Sequence, residues 1–329
     1  MNNRLSILIS ELLEDISFGD GQNYNGITLF PLMNSMDAIQ YITLKEAYEN
    51  QLIKISEISD SGSVPELNVV NLGQKNILLI DGEELAGAKQ NRIINTSIMI
   101  PIKGDLVIPV SCTEEGRWSY NTPTFYDSDE LATSSIRASK VNNVSYNLNN
   151  HMSYASDQSD IWNNIRAMRN KDNISSRTGS MKDVYDHKRT LLDMITGHFP
   201  IQKGQKGLMV YYNNKFIGLD VFSSETAYQQ YHKKLLRSYM ISIPNSNASI
   251  LNNTIDIDTE LILKNIKACN EKIFRSNGVG NDHRYTGYGM VGLMLSVENQ
   301  FIHAAFFNDQ TDLGCNQPTG KMYRGHRYN

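Results

Sequence analysis

Apolar residues recur along this chain with two spacings, and the spacing changes from one segment to the next. Leu5, Leu8, Ile9, Leu12 and Ile16 fall three and four apart, which predicts an amphipathic helix packed on a core. Ile27 to Leu32 and Leu67 to Leu72 are short apolar runs that read as strands. Between them, Thr43 with Glu46 three residues on reads as a capping box opening a short helix to about Leu52, and Ile53, Ile55 and Ile58 suggest another strand. Ser59 to Glu66 is a polar loop. Ile77 to Ile80 is apolar throughout, and Asp81-Gly82 predicts a hairpin turn after it, because a tight turn needs positive φ at its centre. Ile98, Ile100 and Ile102 alternate with Met99 and Pro101. Lys103 to Asp105 then turns the chain and Leu106 to Val110 returns it, predicting a second hairpin.

The pattern fades between Asn121 and Ser180. Residues Ser139 to Asp160 (SKVNNVSYNLNNHMSYASDQSD) are nearly all polar, and we expect them to be the most exposed long stretch, a loop or linker. Ile161, Trp162, Ile165 and Met168 share a helix face within it. Further helices are predicted at Asp183 to Phe199, Glu225 to Met240 and Asp258 to Phe274, and hairpins at Gly207 to Phe222 and Met290 to Phe307. GLMVYYNNKFIGLDVF from Gly207 aligns without gaps to GLMLSVENQFIHAAFF from Gly292, which suggests an internal duplication. ILLIDGEELAGA follows the scheme more loosely.

Strands that do not alternate strictly with helices predict an α+β fold, with antiparallel hairpins in one or two sheets and helices packed outside. The organisation expected is a β-rich half over residues 1–125, a polar excursion over 126–180 and a hairpin-helix half over 181–329, within one globular domain. At 329 residues the chain is long enough for a full core. A net charge of −4 argues against generic binding to a nucleic-acid backbone. Cys112, Cys269 and Cys315 have no CxxC spacing, so neither a zinc site nor a disulfide framework is expected, and a reducing cytoplasm is the simple reading. No apolar run approaches a membrane span, and the basic tail at Lys321, Arg324, His326 and Arg327 is local.

Candidate chemistry clusters around the central turns. Glu83 and Glu84 adjoin the Asp81-Gly82 turn, and as strand neighbours they point to opposite faces. Lys89, Gln90, Asn91 and Arg92 are four hydrogen-bonding side chains where the sheet pattern wants apolar ones. Lys89 and Arg92 suit a diphosphate, and Gln90 and Asn91 a ribose or base edge. Glu114, Glu115 and Arg117 follow Cys112. A Glu held by an Arg reads equally as a structural pair or a catalytic acid. Trp118 and Tyr120 are able to stack a base or to fill a core. Asp282, His283 and Arg284 lie in a Gly-rich stretch. Gly287 to Gly292 spells GxGxxG, but it leads into a strand, not a helix, and so is not a dinucleotide fingerprint. Asp220 is an acid inside an apolar strand, and His303 sits where the aligned hairpin has Gly218.

The wording DGEELAGAKQNR followed by IPVSCTEEGRWSY resembles the ADP-ribosylglycohydrolase-and-rhodanese-phosphatase-associated domain family. The likeness extends to GLMVYYNNKFIGLDVFSS and RYTGYGMVGLMLSVENQFIHAAFF, so it runs from about Ile27 to Phe307. The resemblance implies a link to NAD and ADP-ribose, and no particular reaction. The partner expected is therefore a nucleotide-like small molecule, with no membrane and no cofactor named. Two readings follow. One is a hydrolase or transferase with Glu84, Glu115 and Asp220 as candidate catalytic groups and Lys89, Gln90, Asn91, Arg92, Arg117, Trp118 and Arg284 as substrate contacts. The other is a non-catalytic nucleotide sensor or interaction module. Lys89, Gln90, Arg92, Glu115 and Arg117 are expected to line one pocket, with Glu115 paired to Arg92 or Lys89 and Arg117 to Glu84.

Overall fold

The computed structural model describes residues 7–36, 39–59, 62–63, 65–243 and 257–309. Leu5, Cys315 and the basic tail residues lie outside the described residues. Two stretches with alternating apolar faces fold back on themselves, β13 (Gly207–Tyr212) with β14 (Lys215–Phe222), and β17 (Met290–Val297) with β18 (Gln300–Asn308). Both close through left-handed turn residues, Asn213 and Asn214 at φ 48° and 62°, and Glu298 and Asn299 at 52° and 60°. These two hairpins form as the sequence predicts.

They sit side by side through β14 and β18. Within that pairing Asp220 faces Ala305, the residue it aligns with in the repeat. Each hairpin also carries a register shift at the matching place, Val210/Tyr211 and Leu295/Ser296. A shared irregularity and an axis through aligned residues exceed what alternation alone imposes, and they support a duplicated hairpin. The sheet extends outward through β3 (Ile27–Met33), with β1 (Ser17–Phe18) and β2 (Gln22–Tyr24) on it. On the other side lie β16 (Asn281–Gly287) and β15 (Asn270–Arg275), for nine strands in all. Gly287 and Gly289 turn β16 into β17, so the GxGxxG lettering is a hairpin.

Successive strand residues serve two cores. Met209, Tyr211, Met294 and Phe306 point to the face covered by α1 (Leu8–Asp15) and α7 (Thr259–Ala268). Leu208, Val210, Leu293 and Leu295 point to the other face, under α3 (Ser134–His151), α4 (Gln158–Lys171), α5 (Met181–Thr196) and α6 (Glu225–Met240). The helix predicted to Phe274 ends at Ala268, and Asn270 to Arg275 becomes an edge strand, because β16 offers that segment a ladder to pair with.

Two smaller sheets hold the central stretch. One has β10 (Ile98–Ile100), β7 (Asn76–Leu79) and β4 (Tyr41–Thr43), the last parallel to β7. The other runs β12 (Phe125–Leu131), β8 (Glu83–Gly87), β9 (Arg92–Ile94), β11 (Asp105–Cys112), β6 (Glu66–Asn71) and β5 (Ile53–Ser56). The short helix α2 (Leu44–Glu49) packs beside them, and Thr43 Oγ1 accepts the Glu46 N–H as its cap. Neither predicted central hairpin forms. Asp81-Gly82 passes the chain from the three-stranded sheet to the six-stranded one, and Lys103 to Asp105 does the same from β10 to β11. β8 pairs with β12 and β9 instead of β7, and Glu83 and Glu84 take partners on α6 and at Thr113.

The segment expected to be most exposed is instead largely helical. In α3 the residues Arg137, Lys140, Val141, Val144, Ser145 and Leu148 are buried on one face, with Thr133 as the N-cap. The face is real, but half of it is polar, and polar letters hid it.

Candidate functional site

Residues 87–91 join β8 to β9 through a turn that few side chains permit. Gly87 has φ 112°, and a Cβ there would lie 2.3 Å from Thr122 Oγ1. The turn is tied to the segment after β11. Asn91 N–H donates to Glu114 Oε2 at 3.2 Å, Gln90 Nε2 to Glu114 O at 2.7 Å, and Thr113 N–H to Asn91 O at 2.9 Å. Arg117 spends its whole guanidinium on the same knot. It donates to Glu114 Oε2, to the carbonyls of Gly87, Ala88 and Ser119, and to Asn91 Oδ1. The polar wording after Gly87 is thus explained first by satisfaction of buried groups.

On the outer side of the knot opens a polar cavity of about 420 Å³, lined by Glu114, Arg117, Ser119, Tyr120, Asn121, Arg177, Thr178 and Asp183. That volume falls within the range of small-molecule pockets. The segment preceding α5 forms one wall, where Gly116 N–H donates to Thr178 O at 2.7 Å. Arg177 is exposed and makes no hydrogen bond or ion pair with the described residues. Burial raises the Glu114 carboxyl, but the hydrogen bonds from Arg117 and Thr178 outweigh that and hold it below its usual range. Tyr120 is half exposed, and the Lys89 ammonium sits 5.1 Å from its ring centroid and 5.4 Å from that of Trp118.

On the inner side of Trp118 lies Arg92, fully buried, its guanidinium carbon 5.4 Å from the indole. Its Nη1 donates to Gln90 Oε1 at 3.0 Å and contacts Cys112 Sγ. Nε and Nη2 have no hydrogen-bond partner, and Glu57 Oε1 is 3.9 Å from Nη2. Burial pushes the Cys112 thiol up to about 11 despite Arg92, so it is no ready nucleophile.

Residues 15–307 match the family described as the ARG and Rhodanese-Phosphatase-superfamily-associated Protein domain, ARPP-1. The chain belongs to that family. Comparison with curated proteins and with solved structures returns no match. The ARPP-1 name links the chain to an ADP-ribosylglycohydrolase-associated context.

Within this ARPP-1 domain the expected site residues separate into layers. Arg117 lines the cavity, and Gln90 and Asn91 brace it from behind. Glu115 points away and pairs with Arg166 at 3.0 Å, and Arg117 takes Glu114 in place of Glu84. The cause is the turn at Glu115-Gly116, beyond the end of β11 at Cys112, which sends Glu114 and Glu115 to different partners. Glu84 is buried and does not line the cavity; Thr113 Oγ1 donates to it at 2.8 Å and its other oxygen is unpartnered. Burial raises its pKa to about 7. Glu83 faces the other way, to Lys234 and Tyr231, and burial likewise raises it to about 7.

Asp220 is remote from the cavity, in a sealed network. Arg137 grips it with two bonds, Tyr239 donates to it at 2.6 Å, and His303 Nε2 lies 3.1 Å from it with Ser97 at 2.9 Å from the ring's other nitrogen. Ser97, His303 and Asp220 have the order of a nucleophile relay, but all three are buried and the cavity residues include none of them. Arg137 and Lys140 also converge on Asp81. Arg284 sits in a separate buried nest with Asp282 and Thr96. Sequence reasoning missed Arg137, Lys140, Arg177 and Asp183. The last two stand next to a helix start, Ser180-Met181, and that boundary was the available signal. Among the described residues no group of three His, Cys, Asp or Glu is arranged to hold a metal, and no helix is long and apolar enough to cross a membrane.

Proposed function

We propose that the cavity between the Glu114–Asn121 segment and Arg177 binds a nucleotide of the ADP-ribose or NAD class. The observation that carries the reading is Arg177, a cation with no partner among the described residues, in one cavity with the half-exposed Tyr120. A diphosphate suits the Arg177 guanidinium, which accepts oxyanions in a fixed fork. An adenine suits the face of Tyr120. Asn121, Ser119 and Thr178 offer hydroxyl and amide groups for a ribose. The family's ADP-ribosylglycohydrolase-associated context supports the same ligand class.

In this reading the domain is first a binding module. A glycosidic hydrolase needs a carboxylic acid of raised pKa at the bond. Glu114 is held in the opposite sense by Arg117 and Thr178. A second reading, hydrolysis or group transfer, is favoured by Glu84 alone, whose pKa is near 7, whose Oε2 has no hydrogen-bond partner, and whose other oxygen accepts from Thr113, the residue before the lining residue Glu114. Incubating the protein with ADP-ribose and with NAD, while following heat of binding and product formation together, separates the two. Binding without turnover is the expected result. Turnover lost in Glu84→Gln supports the second reading, and neither binding nor turnover overturns both.

A further inference from the structure

A buried guanidinium whose donors go unused is costly, since each lost hydrogen bond leaves its full desolvation penalty behind. Arg92 and Arg284 both show this. Their free atoms differ in a way that matters. Arg284 leaves Nε and Nη1, which lie on different edges of the guanidinium plane. Arg92 leaves Nε and Nη2, which share one edge and point the same way, the geometry that takes two oxygens of one oxyanion.

Its surroundings fit that use. Arg92 is held from its other edge by Gln90 and Cys112, so the free edge has a fixed direction. Glu57 lies close, but Oε1 stands 3.9 Å from Nη2 and already accepts the Lys89 N–H, and its Oε2 has no partner. The indole of Trp118 stacks over the guanidinium and is 47% exposed, whereas Arg92 has no exposure at all. Trp118 alone of these side chains faces both the nest and solvent.

We propose that the Nε–Nη2 edge of Arg92 is a binding site for a single oxyanion, a carboxylate or a phosphate, which enters by displacing the Trp118 indole. Glu57, 3.9 Å from Nη2, competes for the same edge. The site is independent of the outer cavity and does not require that cavity to hold a nucleotide.

The chain has two tryptophans, and Trp162 lies in α4, so Trp162→Phe leaves Trp118 as the sole indole reporter. The full-length Trp162→Phe protein is titrated at constant ionic strength with inorganic phosphate and, separately, with acetate, following Trp118 emission. The expected result is a saturable change with at least one of them, and which one responds identifies the oxyanion. Arg92→Lys keeps the charge but loses the fork, and weakens binding by about tenfold or more. Glu57→Gln removes the competitor and tightens binding by about tenfold, which a merely structural Arg92–Glu57 pair does not do. Arg177→Ala leaves the titration unchanged. No saturable change with either ion overturns the proposal, as does equal affinity in Arg92→Lys, or unchanged or weaker affinity in Glu57→Gln should Arg92→Lys fail to fold.

Discussion

Arg137 reaches Asp220 with both terminal nitrogens, at 3.0 and 2.6 Å, and neither side chain has any exposure. Burial works to raise the Asp220 carboxyl, but Arg137 and His303 outweigh it and bring it to about 2. Its folded pKa therefore lies below the unfolded value near 3.9. The pair's stabilisation is complete above that value and is lost as pH falls toward 2. Arg137→Met should cost about 3–5 kcal/mol in urea unfolding at neutral pH, because it leaves a buried carboxylate without its cation. Adding Asp220→Leu should recover part of that loss. A single variant as stable as the parent would contradict the pairing.

Glu84 titrates in the opposite sense. Its pKa is raised to about 7 by burial, and among the described residues no cation forms an ion pair with it. Stability linked to it is complete below the unfolded carboxyl value and is lost as pH rises through 7. Glu84→Gln should therefore flatten the fall in unfolding free energy between pH 5 and pH 7, a slope of up to about 1.4 kcal/mol per pH unit. Parallel curves for parent and variant would refute this account of Glu84.

The turn at Gly87 is the next prediction. Gly87→Ala places a methyl group against Thr122 Oγ1 and the Thr124 carbonyl, at a φ of 112° that disfavours side chains. A loss of about 2–3 kcal/mol is expected in chemical denaturation. Adding Thr122→Ser should not relieve it, since the Oγ1 contact and the backbone strain remain. Full stability in Gly87→Ala would mean the loop takes another conformation.

Much of this architecture was legible in the chain. The Asn213-Asn214 and Glu298-Asn299 turns were readable because each joins two long alternating runs that pair directly with each other across the turn. Asp81-Gly82 carries the same local signal and misleads, because β8 pairs with β9 and β12, partners far off or later in the chain. The helix from Ser134 was illegible for a different reason. Arg137 and Lys140 occupy its inner face, and their partners Asp81 and Asp220 come from distant strands, so no local pattern announces their burial. The site divides likewise. The motif run from Lys89 to Arg117 reads plainly as polar and special, but nothing local says that Arg117 is consumed by carbonyls while Arg177 stays unengaged.

The central claim concerns the cavity of Tyr120 and Arg177, and titration calorimetry with ADP-ribose tests it most directly. Both side chains are exposed, so Arg177→Ala and Tyr120→Ala should leave the melting temperature close to the parent's. The account predicts saturable binding by the parent, weakened by about tenfold or more in each variant, from a lost charge-assisted bond in one and a lost stacking face in the other. Equal affinity in the parent and both variants, or no binding by the parent, would contradict it.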